Sequence, residues 1–546
     1  MLWKVAFVFY LICIIGTQSG NIIIFHPLYG GSHIMILKEF GEYLSSRGHS
    51  VTQIRFKDRN PSQPPQIKNS NISVIDLPIS RFTDNECIDY INDDGEIDIN
   101  ISATKLLWKD GESVYKVPSD IFCVTRAHCH TLFTVHSAKM KKVLDSGNFD
   151  LAIVDIIANE CGLAMAKSLG IPVVGFWMFS FQGGETLRSP VFNPPSIVPS
   201  FLSSLPPKKW NFLERVYNFI VHLTHRALLA IQESIANDFI KERYPNLPPV
   251  RDLFFDLDFT FIHTNFLVDS PKLIAPNSKY VGGLHIRSPR KLRKELKEFV
   301  EGAKKGVIIF SLGFTGYSSD NVPLSFIRDL LHIIEKLEGY RLIMRFDKDV
   351  ISSPLPENVL VLKWLPQQDL LAHSAVKLFI NHGGMGGIQE SVYYGVPMVI
   401  IPIFGDQNDN AARIQHYELG LYVVKSRLNY DNLRFAIHEV LFNDKYSEKS
   451  KFHQSLWKDE FCSSQEETAY WIELLIKYGH LDHLKIKGVN ISLFQYFSLD
   501  VILFLSILFI STTLVLGFII YNIFGKCFFV HDTYNNGTKR KIIKVN

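Results

Sequence analysis

The sequence shows almost no charge bias and has few cysteines. It contains 57 basic and 54 acidic residues, a formal charge of +3 over 546 residues, and seven cysteines. Nucleic-acid-binding surfaces need an excess of positive charge, so this balance argues against nucleic-acid partners. Short-period repeats and long low-complexity segments are also absent. A chain of this length that is 47% hydrophobic exceeds what one core usually serves, which predicts two large domains.

Clusters of metal-binding residues are scarce as well. The one group with suitable residue types is His128, Cys129 and His130, near Cys123. It lacks the spaced ligand pairs of a zinc site, so local crowding is the better interpretation. The sequence therefore predicts no metal site.

Both ends of the chain carry apolar runs of the kind found in membrane and secreted proteins. Lys4 precedes an apolar run at 5–15 and small residues up to 20, which is typical of a secretory signal peptide, assigned to residues 1–19. The alternative for this run is a buried first strand. Residues 501–521 contain no charge, and as a helix they would extend about 31 Å, the thickness of the hydrocarbon layer. We therefore predict a transmembrane helix at 501–521.

Charges after this second run predict its orientation. The tail at 522–546 has five basic residues and one acidic residue, Asp532, which places the tail in the cytosol and the preceding chain in the lumen. We expect a single-pass type I membrane protein of the endoplasmic reticulum. Lys544 resembles half of a dilysine retrieval signal, but Ile542 and Ile543 stand where the second lysine would be.

The lumenal placement bears on the cysteines and on glycosylation. Five cysteines fall in the lumenal part, namely Cys87, Cys123, Cys129, Cys161 and Cys462. An odd number in an oxidising compartment leaves at least one thiol free or paired outside the chain. Acceptor sequons predict glycosylation at Asn71, Asn100 and Asn490.

Strand-like and helix-like runs alternate through the first half of the chain. Strands are predicted at 22–25, 51–56, 72–77, 150–155 and 171–176, and helices at 34–44, 124–144, 162–169 and 213–244. Residues 83–118 are expected to be helical in part, and the six prolines at 190–207 predict a loop. This alternation favours a parallel, doubly wound sheet.

The same alternation restarts in the second half. Strands are predicted at 307–310, 341–346, 359–362, 376–380 and 398–401, and helices at 291–302, 324–337 and 387–394. Two α/β domains in tandem enclose a cleft, and open sheets bind ligands beyond their strand ends. The predicted boundaries are 20–285 for the first domain, 286–480 for the second and 481–500 for a juxtamembrane segment.

Residues 364–413 hold the densest group of candidate ligand-binding residues. His382, Gly383 and Gly384 open a predicted helix, where backbone N–H groups attract phosphate; an ordinary glycine turn is the alternative. Glu390 lies two turns further on and could accept hydrogen bonds from ribose hydroxyls, unless it belongs to a solvated helix face.

Two further pairs complete a nucleotide-sugar pattern. Trp364 offers a flat ring for a base, and Gln367 an amide for its edge, although a Trp that caps the core is the alternative. Asp406 and Gln407 follow a predicted strand and offer acceptor and donor groups for sugar hydroxyls, or serve as a helix cap.

These motifs closely resemble the signature of the UDP-glycosyltransferases, especially the membrane-bound UDP-glucuronosyltransferase branch. The matching residues in this segment are WLPQ at 364–367, DLL at 369–371, His373, HGG-x-x-G-x-x-E at 382–390, GVPM at 395–398, Pro402, DQ-x-x-N at 406–410 and Arg413. Other matches run through the chain: Ser32-His33, Phe149-Asp150, Asp155, 281–283, 311–313 and 499–500.

The resemblance implies the GT-B fold, two Rossmann-like domains that face a cleft, with the acceptor site in the first domain and the nucleotide sugar in the second. It implies roles for these donor-binding residues: Trp364 and Gln367 for uracil, Glu390 for ribose, Ser311, His382 and Gly384 for the phosphates, and Asp406 and Gln407 for the sugar. It also implies that His33 is the general base and that Asp155 orients it. A histidine held by a carboxylate can take a proton from a hydroxyl group as that group attacks an anomeric carbon.

We therefore expect an inverting glycosyltransferase that moves glucuronic acid or another hexose from a UDP-sugar to a small lipophilic hydroxyl acceptor. The UDP-sugar is a co-substrate, and no cofactor is expected. The sequence is compatible with a homo-oligomer. Alternatives are a lipid-directed UDP-glycosyltransferase and a non-catalytic, membrane-anchored binding protein of the same fold. The binding protein is favoured by Gly386 and Phe314, which replace an Asn and a Ser found in many relatives.

Overall fold

The computed structural model describes residues 19–28, 31–57, 71–78, 116–180, 188–313, 322–351, 354–487 and 491–525. It divides into one unit that ends at Lys485 and a second that begins at Ile486. Several predicted features lie outside the described residues: the signal peptide up to residue 18, Asn100, Phe314, Asn490 and the basic tail after 525.

The described residues of the first half form a seven-stranded sheet in the order β3-β2-β1-β4-β5-β6-β7. Its strands are β1 (Asn21–Phe25), β2 (Ser50–Lys57), β3 (Ile72–Pro78), β4 (Leu151–Asp155), β5 (Val173–Trp177), β6 (Phe259–Ile262) and β7 (Ser278–Tyr280). Every neighbouring pair is parallel. The winding direction reverses between β1 and β4, which is where an open α/β sheet forms its ligand crevice.

Helices cover this sheet because the connections between parallel strands must cross over its faces. They are α1 (Gly31–Ser46), α2 (Lys116–His130), α3 (Ser137–Ser146), α4 (Glu160–Lys167), α5 (Phe212–Arg243) and α6 (Val250–Phe255). The long α5 begins with a capping box, in which Asn211 and Glu214 satisfy each other's backbone N–H groups. The proline-rich stretch before it has no helix or strand, as its composition predicts.

One prediction in this half was wrong in detail. The helix expected at 124–144 begins earlier and is interrupted by a π-helical turn at Thr131–Val135 before α3 resumes. β-Branched residues crowd the preceding helical turn, and Thr131 also donates its hydroxyl to the carbonyl oxygen of Ala127 at 2.7 Å. Both effects favour a local departure from regular α-helix.

The described residues of the second half form a six-stranded sheet with the same winding, β10-β9-β8-β11-β12-β13. Its strands are β8 (Gly306–Ser311), β9 (Tyr340–Arg345), β10 (Val359–Leu362), β11 (Val376–Asn381), β12 (Met398–Ile400) and β13 (Gly420–Tyr422). All its pairs are parallel as well. The reversal here falls between β8 and β11.

The helices of this half begin with α7 (Lys294–Glu301), α8 (Leu324–Glu335), α9 (Gln367–Leu371), α10 (Met385–Tyr394) and α11 (Gln407–His416). They continue with α12 (Tyr430–Phe442), α13 (Asp444–Lys458) and α14 (Ser464–Tyr478), and short 3-10 turns lie at Lys348–Val350, Lys425–Arg427 and Asp482–Leu484. The last helix returns to the first half, because Ala469, Ile472 and Leu475 are buried in the core around the first sheet. The boundaries at 285 and 480 stay predictions.

The cysteines agree with the odd count in the sequence. Cys129 and Cys161 form a disulfide, which ties α2 to α4, and Cys123 is disulfide-bonded too. Cys462 is free. Cys462 agrees with the prediction that at least one of these thiols is free or paired outside the chain. The crowding expected around His128 and His130 includes the disulfide between Cys129 and Cys161.

The second unit contains the apolar helix. After the short α15 (Leu493–Tyr496), α16 runs over Leu499–Ile520, and the helical stretch Leu499–Phe524 is long and apolar enough to cross a membrane. Its hydroxyl side chains donate to carbonyl oxygens one turn back, as Ser506 does to Ile502 at 2.7 Å. These bonds satisfy polar groups that lipid could not.

Candidate functional site

The winding reversal of the first sheet brings His33 and Asp155 together. His33 lies in the first turn of α1, directly after β1, and Asp155 is the last residue of β4. Because β1 and β4 pair in register, with Phe25 opposite Val154, both residues lie at the carboxyl edge of the sheet. His33 Nδ1 is 2.9 Å from Asp155 Oδ2 although 122 residues separate them.

This pair leaves one imidazole nitrogen available. Asp155 is fully buried, and its second oxygen accepts a hydrogen bond from the Ile157 N–H at 3.1 Å. A carboxylate only accepts, so the bond to His33 places the proton on Nδ1 and leaves a lone pair on Nε2. The His33 side chain is 16% exposed and lies edge-on to Phe179, with 6.0 Å between ring centroids. The pair can therefore act as a base beside an apolar wall.

The reversal of the second sheet places Ser311 beside the turn after β11. Asn381 pairs with Ser311, and His382 and Gly383 then lead to Gly384, which caps α10. Glycine is required around this imidazole, because a Cβ on Gly313 or Gly384 would collide with the His382 ring. The Gly383 N–H donates to Asn381 Oδ1 at 2.8 Å, and Gly384 stands at a helix N-terminus, the kind of position where anions bind.

His382 is neutral at neutral pH in this structure. Burial, with a contribution from the nearby Arg345, lowers its pKa to about 4. A neutral imidazole can still donate one hydrogen bond to a phosphate oxygen. Positive charge at this turn comes instead from Arg345 and from the α10 dipole.

Gln367 contacts Glu390, and Trp364 lies three residues before Gln367. Trp364 is 39% exposed, so its ring does not simply cap the core. Gln367 Nε2 donates to Glu390 Oε2 at 2.5 Å, and Glu390 is 5% exposed, so it does not belong to a solvated helix face. His285 Nε2 is 3.4 Å from the other Glu390 oxygen. Burial alone would lower the pKa of His285. The hydrogen bond and negative charge of Glu390, together with the charge of Glu39, have the larger effect, so the pKa is raised.

Arg345 is a residue that the sequence analysis missed. It ends β9, and its guanidinium lies over the Trp364 ring at 4.9 Å from the centroid. It also donates to the carbonyl oxygen of Gly313 at 3.2 Å. The rule that ligands bind at the carboxyl ends of strands would have identified it, since the predicted strand at 341–346 contains it.

Asp406 and Gln407 open α11. Asn410 Nδ2 donates to Asp406 Oδ2 at 2.7 Å. Gln407 Oε1 accepts from the backbone N–H groups of Ile403 and Phe404, at 2.8 and 3.1 Å. The Gln407 carbonyl oxygen therefore shapes the preceding loop, and its amide N–H groups are what it can offer a ligand.

The two halves meet at these residues. Burial raises the pKa of Asp406, and the nearby His33 is among the groups that lower it. Further along α1, burial raises the pKa of Glu39, with charge contributions from His285 and Glu390. Helix α1 of the first half therefore lies near residues of the second half that are predicted to bind the donor.

Two further positions singled out in the sequence, Gly386 and Asn71, lie within the described residues. Gly386, on α10, accepts a hydrogen bond from His285 Nε2 at 3.2 Å, and a Cβ there would meet that ring at an ordinary 3.5 Å. Asn71 is exposed just before β3. Among the residues with a described structure, no group of three His, Cys, Asp or Glu side chains is arranged to hold a metal ion.

Comparisons with known proteins give a consistent result. The model of the family described as UDP-glucoronosyl and UDP-glucosyl transferase matches residues 23–541. UDP-glucosyltransferase 2 of Dactylopius coccus is 26% identical over 517 residues, 93% of this chain and 94% of that protein. UDP-glucuronosyltransferase 2A3 of Cavia porcellus is 29% identical over 479 residues, 87% of this chain and 88% of that protein.

Solved structures support the fold. A UDP-glucosyltransferase from Polygonum tinctorium, solved with 3,4-dichloroaniline, aligns with a TM-score of 0.55 at 16% identity, over 84% of this chain and 99% of that chain. UGT2 of Phytolacca americana, solved with UDP-2fluoro-glucose and pterostilbene, gives 0.53 at 16% identity, over 84% and 100%. The predicted fold of two Rossmann-like domains of GT-B type, with one C-terminal apolar helix, is confirmed.

Proposed function

This chain belongs to the UDP-glucoronosyl and UDP-glucosyl transferase family, and from that premise we propose that it moves a hexose, glucose or glucuronic acid, to the hydroxyl group of a small lipophilic acceptor. The chain is thus a UDP-glycosyltransferase. What we propose is the identity of the sugar that it transfers and the class of acceptor that it uses. The observation that carries it is the position of the His33–Asp155 pair beside Asp406 of the other half.

In the proposed reaction His33 is the base. Its Nε2 takes the proton of the acceptor hydroxyl as that oxygen attacks the anomeric carbon. The bond between this carbon and the UDP oxygen breaks, and UDP leaves with the electron pair. Asp155 holds the imidazole in the required tautomer and stabilises the imidazolium that forms. A single displacement from the face opposite UDP inverts the configuration at the anomeric carbon.

Donor binding follows from the residues around the second sheet. We assign uracil to Trp364 and Gln367, ribose to Glu390, and the diphosphate to the turn formed by Ser311, His382 and Gly384. Leaving-group charge develops at this turn, where the N-terminus of α10 and the neighbouring Arg345 stabilise it. Asp406 and Gln407 are assigned to the sugar. The UDP-sugar is the co-substrate, with no separate cofactor.

An apolar acceptor is supported by the surroundings of His33. Phe179 lies edge-on to it, and Trp177 and Phe201 each contact Phe179, with centroids 5.4 and 5.7 Å away. Binding sites lined by aromatic side chains favour lipophilic molecules, and a few polar groups in such sites fix the orientation of the ligand.

The proposal is tested by UDP release. The full-length chain, purified in detergent micelles, is offered UDP-glucose or UDP-glucuronic acid together with phenols, steroids or sphingolipids. We expect acceptor-dependent release of UDP with a phenol or steroid. Turnover with sphingolipids alone would favour a lipid-directed enzyme, and UDP binding without turnover of any donor would favour a binding protein.

Gly386 offers a gain-of-function prediction. A Cβ added at Gly386 would have room beside His285. Gly386→Asn is therefore expected to fit and to place an amide donor near the phosphates of the bound UDP. One added hydrogen bond to a charged group should tighten UDP binding about tenfold. Gly386→Ala is the matched control, because it adds a Cβ at the same position without the amide. Calorimetry of UDP binding measures both, and equal affinities in the two variants would contradict the assignment.

We further propose that the enzyme faces the lumen of the endoplasmic reticulum and is anchored by Leu499–Phe524. Support comes from that apolar helix and from the five basic residues of the tail. Protease added to intact microsomes should remove only the tail. Digestion of the large unit under the same conditions would contradict the lumenal orientation.

A further inference from the structure

A carboxylate on the donor side holds a loop on the acceptor side. Asp409, on α11, is 1% exposed and lies two residues after Gln407. Its Oδ2 accepts a hydrogen bond from the backbone N–H of Leu202 at 2.8 Å, and its Oδ1 accepts one from Ser204 at 2.6 Å. One side chain of the second half therefore engages two backbone groups of the first.

The loop that Asp409 holds has an unfavourable backbone. Leu202 and Ser204 have φ values of +67° and +55°, in the left-handed region that residues other than glycine rarely adopt. Such conformations persist only where surrounding contacts enforce them. Asn218 of α5 holds the preceding residues, since its Oδ1 accepts from the Ser200 N–H at 2.8 Å. At the other end of the loop, Asp409 holds the backbone N–H groups of Leu202 and Ser204.

Phe201 lies between these two attachments. Its ring stacks on Phe179, with 12° between the planes and 5.7 Å between centroids, and meets His225 edge-on. Phe179 is the ring that contacts His33. The loop thus fixes the outer ring of the aromatic wall beside the base.

The other end of this contact belongs to the donor side. Asp406 and Asp409 lie within one turn at the start of α11. Burial raises the pKa of both carboxyl groups, and the charge of the buried Arg413 offsets part of this rise. Arg413 also donates to Asn410, which in turn donates to Asp406. The carboxylate that holds the acceptor loop and the carboxylate assigned to the sugar are thus fixed by one set of contacts.

We propose that Asp409 is a positioning residue that fastens the loop at 200–204, and with it Phe201, against the acceptor site when the two halves are together. It touches neither substrate and acts through Phe201 and Phe179 on the orientation of the acceptor beside His33. This inference rests on the proposed function, because it assigns the acceptor site to that wall.

The test uses the full-length chain in detergent micelles and the variant Asp409→Asn, which keeps the size of the side chain but can accept with only one oxygen. We expect KM for a phenolic acceptor to rise about tenfold, as for the loss of one hydrogen bond to a charged group, and KM for the UDP-sugar to stay within about twofold. Asp431→Asn, at an exposed position of α12, is the control for the lost charge and should match the wild type. An equal rise in both KM values would overturn the proposal.

A second variant and a direct measurement separate positioning from general destabilisation. Phe201→Leu leaves Asp409 intact and should also raise the acceptor KM, and combining it with Asp409→Asn should add little further. Hydrogen exchange of the peptide at 198–205 should be about tenfold faster in Asp409→Asn than in the wild type and unchanged in Asp431→Asn. Unchanged exchange in Asp409→Asn would refute the contact. This measurement needs no turnover, so it still tests the clamp if the enzyme uses none of the sugars offered.

Discussion

Replacing His33 with alanine is expected to lower kcat about a thousandfold and to leave KM for the UDP-sugar nearly unchanged. The reason is that His33 contacts the acceptor hydroxyl in the proposed reaction, while the UDP-binding residues lie on the second half. Steady-state UDP release with a phenolic acceptor measures the effect. His332→Ala, at an exposed position of α8, is the control histidine and should retain full activity.

Asp155→Asn sharpens this prediction. The amide oxygen would accept from the Ile157 N–H, as Asp155 Oδ1 does now, and the amide NH2 would donate to His33 Nδ1. This favours the tautomer with the proton on Nε2 and removes the lone pair that takes the proton of the acceptor hydroxyl. We expect a loss of about a hundredfold in kcat with unchanged UDP affinity. If His33→Ala retained more than about a tenth of the wild-type kcat, general base catalysis by His33 would be excluded, because such catalysis contributes at least about a hundredfold.

The pairing of His33 with Asp155 was predicted from the family resemblance, and the ends of the strands explain it in part. One residue follows a predicted strand and the other ends one, and parallel strands place their carboxyl ends at one edge. The strand order supplied the rest, since β1 and β4 are neighbours. The same logic placed Ser311 beside the turn at His382.

Other parts of the fold depend on tertiary contacts, which the spacing of hydrophobic residues along the sequence does not predict. The strands β6 and β7 are four and three residues long, too short for a clear alternating pattern. The return of α14 to the first core depends on which surface its apolar face meets. A helix pattern shows that such a face exists and does not say which sheet it covers.

Side-chain roles were least predictable where backbone and ligand compete for one group. Asp406 and Gln407 together were expected to offer acceptor and donor groups to a sugar, and the oxygen of Gln407 is bound to the loop at 403–404. Asp409 stands two residues away in the same motif, and its partners lie 207 and 205 residues earlier. No local spacing relates it to the loop that it holds.

Replacing Glu390 with glutamine is expected to weaken UDP binding about fiftyfold, the largest effect expected on binding. Hydrogen bonds from ribose hydroxyls to a buried carboxylate each contribute about 1.5–3 kcal/mol, and the neutral amide keeps one acceptor oxygen and loses the charge. Gln367 already donates to Glu390, so the two side chains face the same space. Calorimetry of UDP binding measures the change, with Glu335→Gln on the exposed face of α8 as the control.

The pH dependence distinguishes ribose binding from a structural role of Glu390. Although burial opposes it, Glu390 helps to raise the pKa of His285 above its ordinary value of 6.5. A histidine whose pKa is raised on folding stabilises the protein below pH 6.5, and the stabilisation is lost as the pH rises through the folded-state pKa. The difference in melting temperature between the wild type and Glu390→Gln should therefore shrink from pH 6 to pH 9. The deficit in UDP affinity should persist at pH 9, because the ribose hydroxyls do not depend on His285. If both deficits disappeared together at high pH, Glu390 would act only by holding His285, and the ribose assignment would fail.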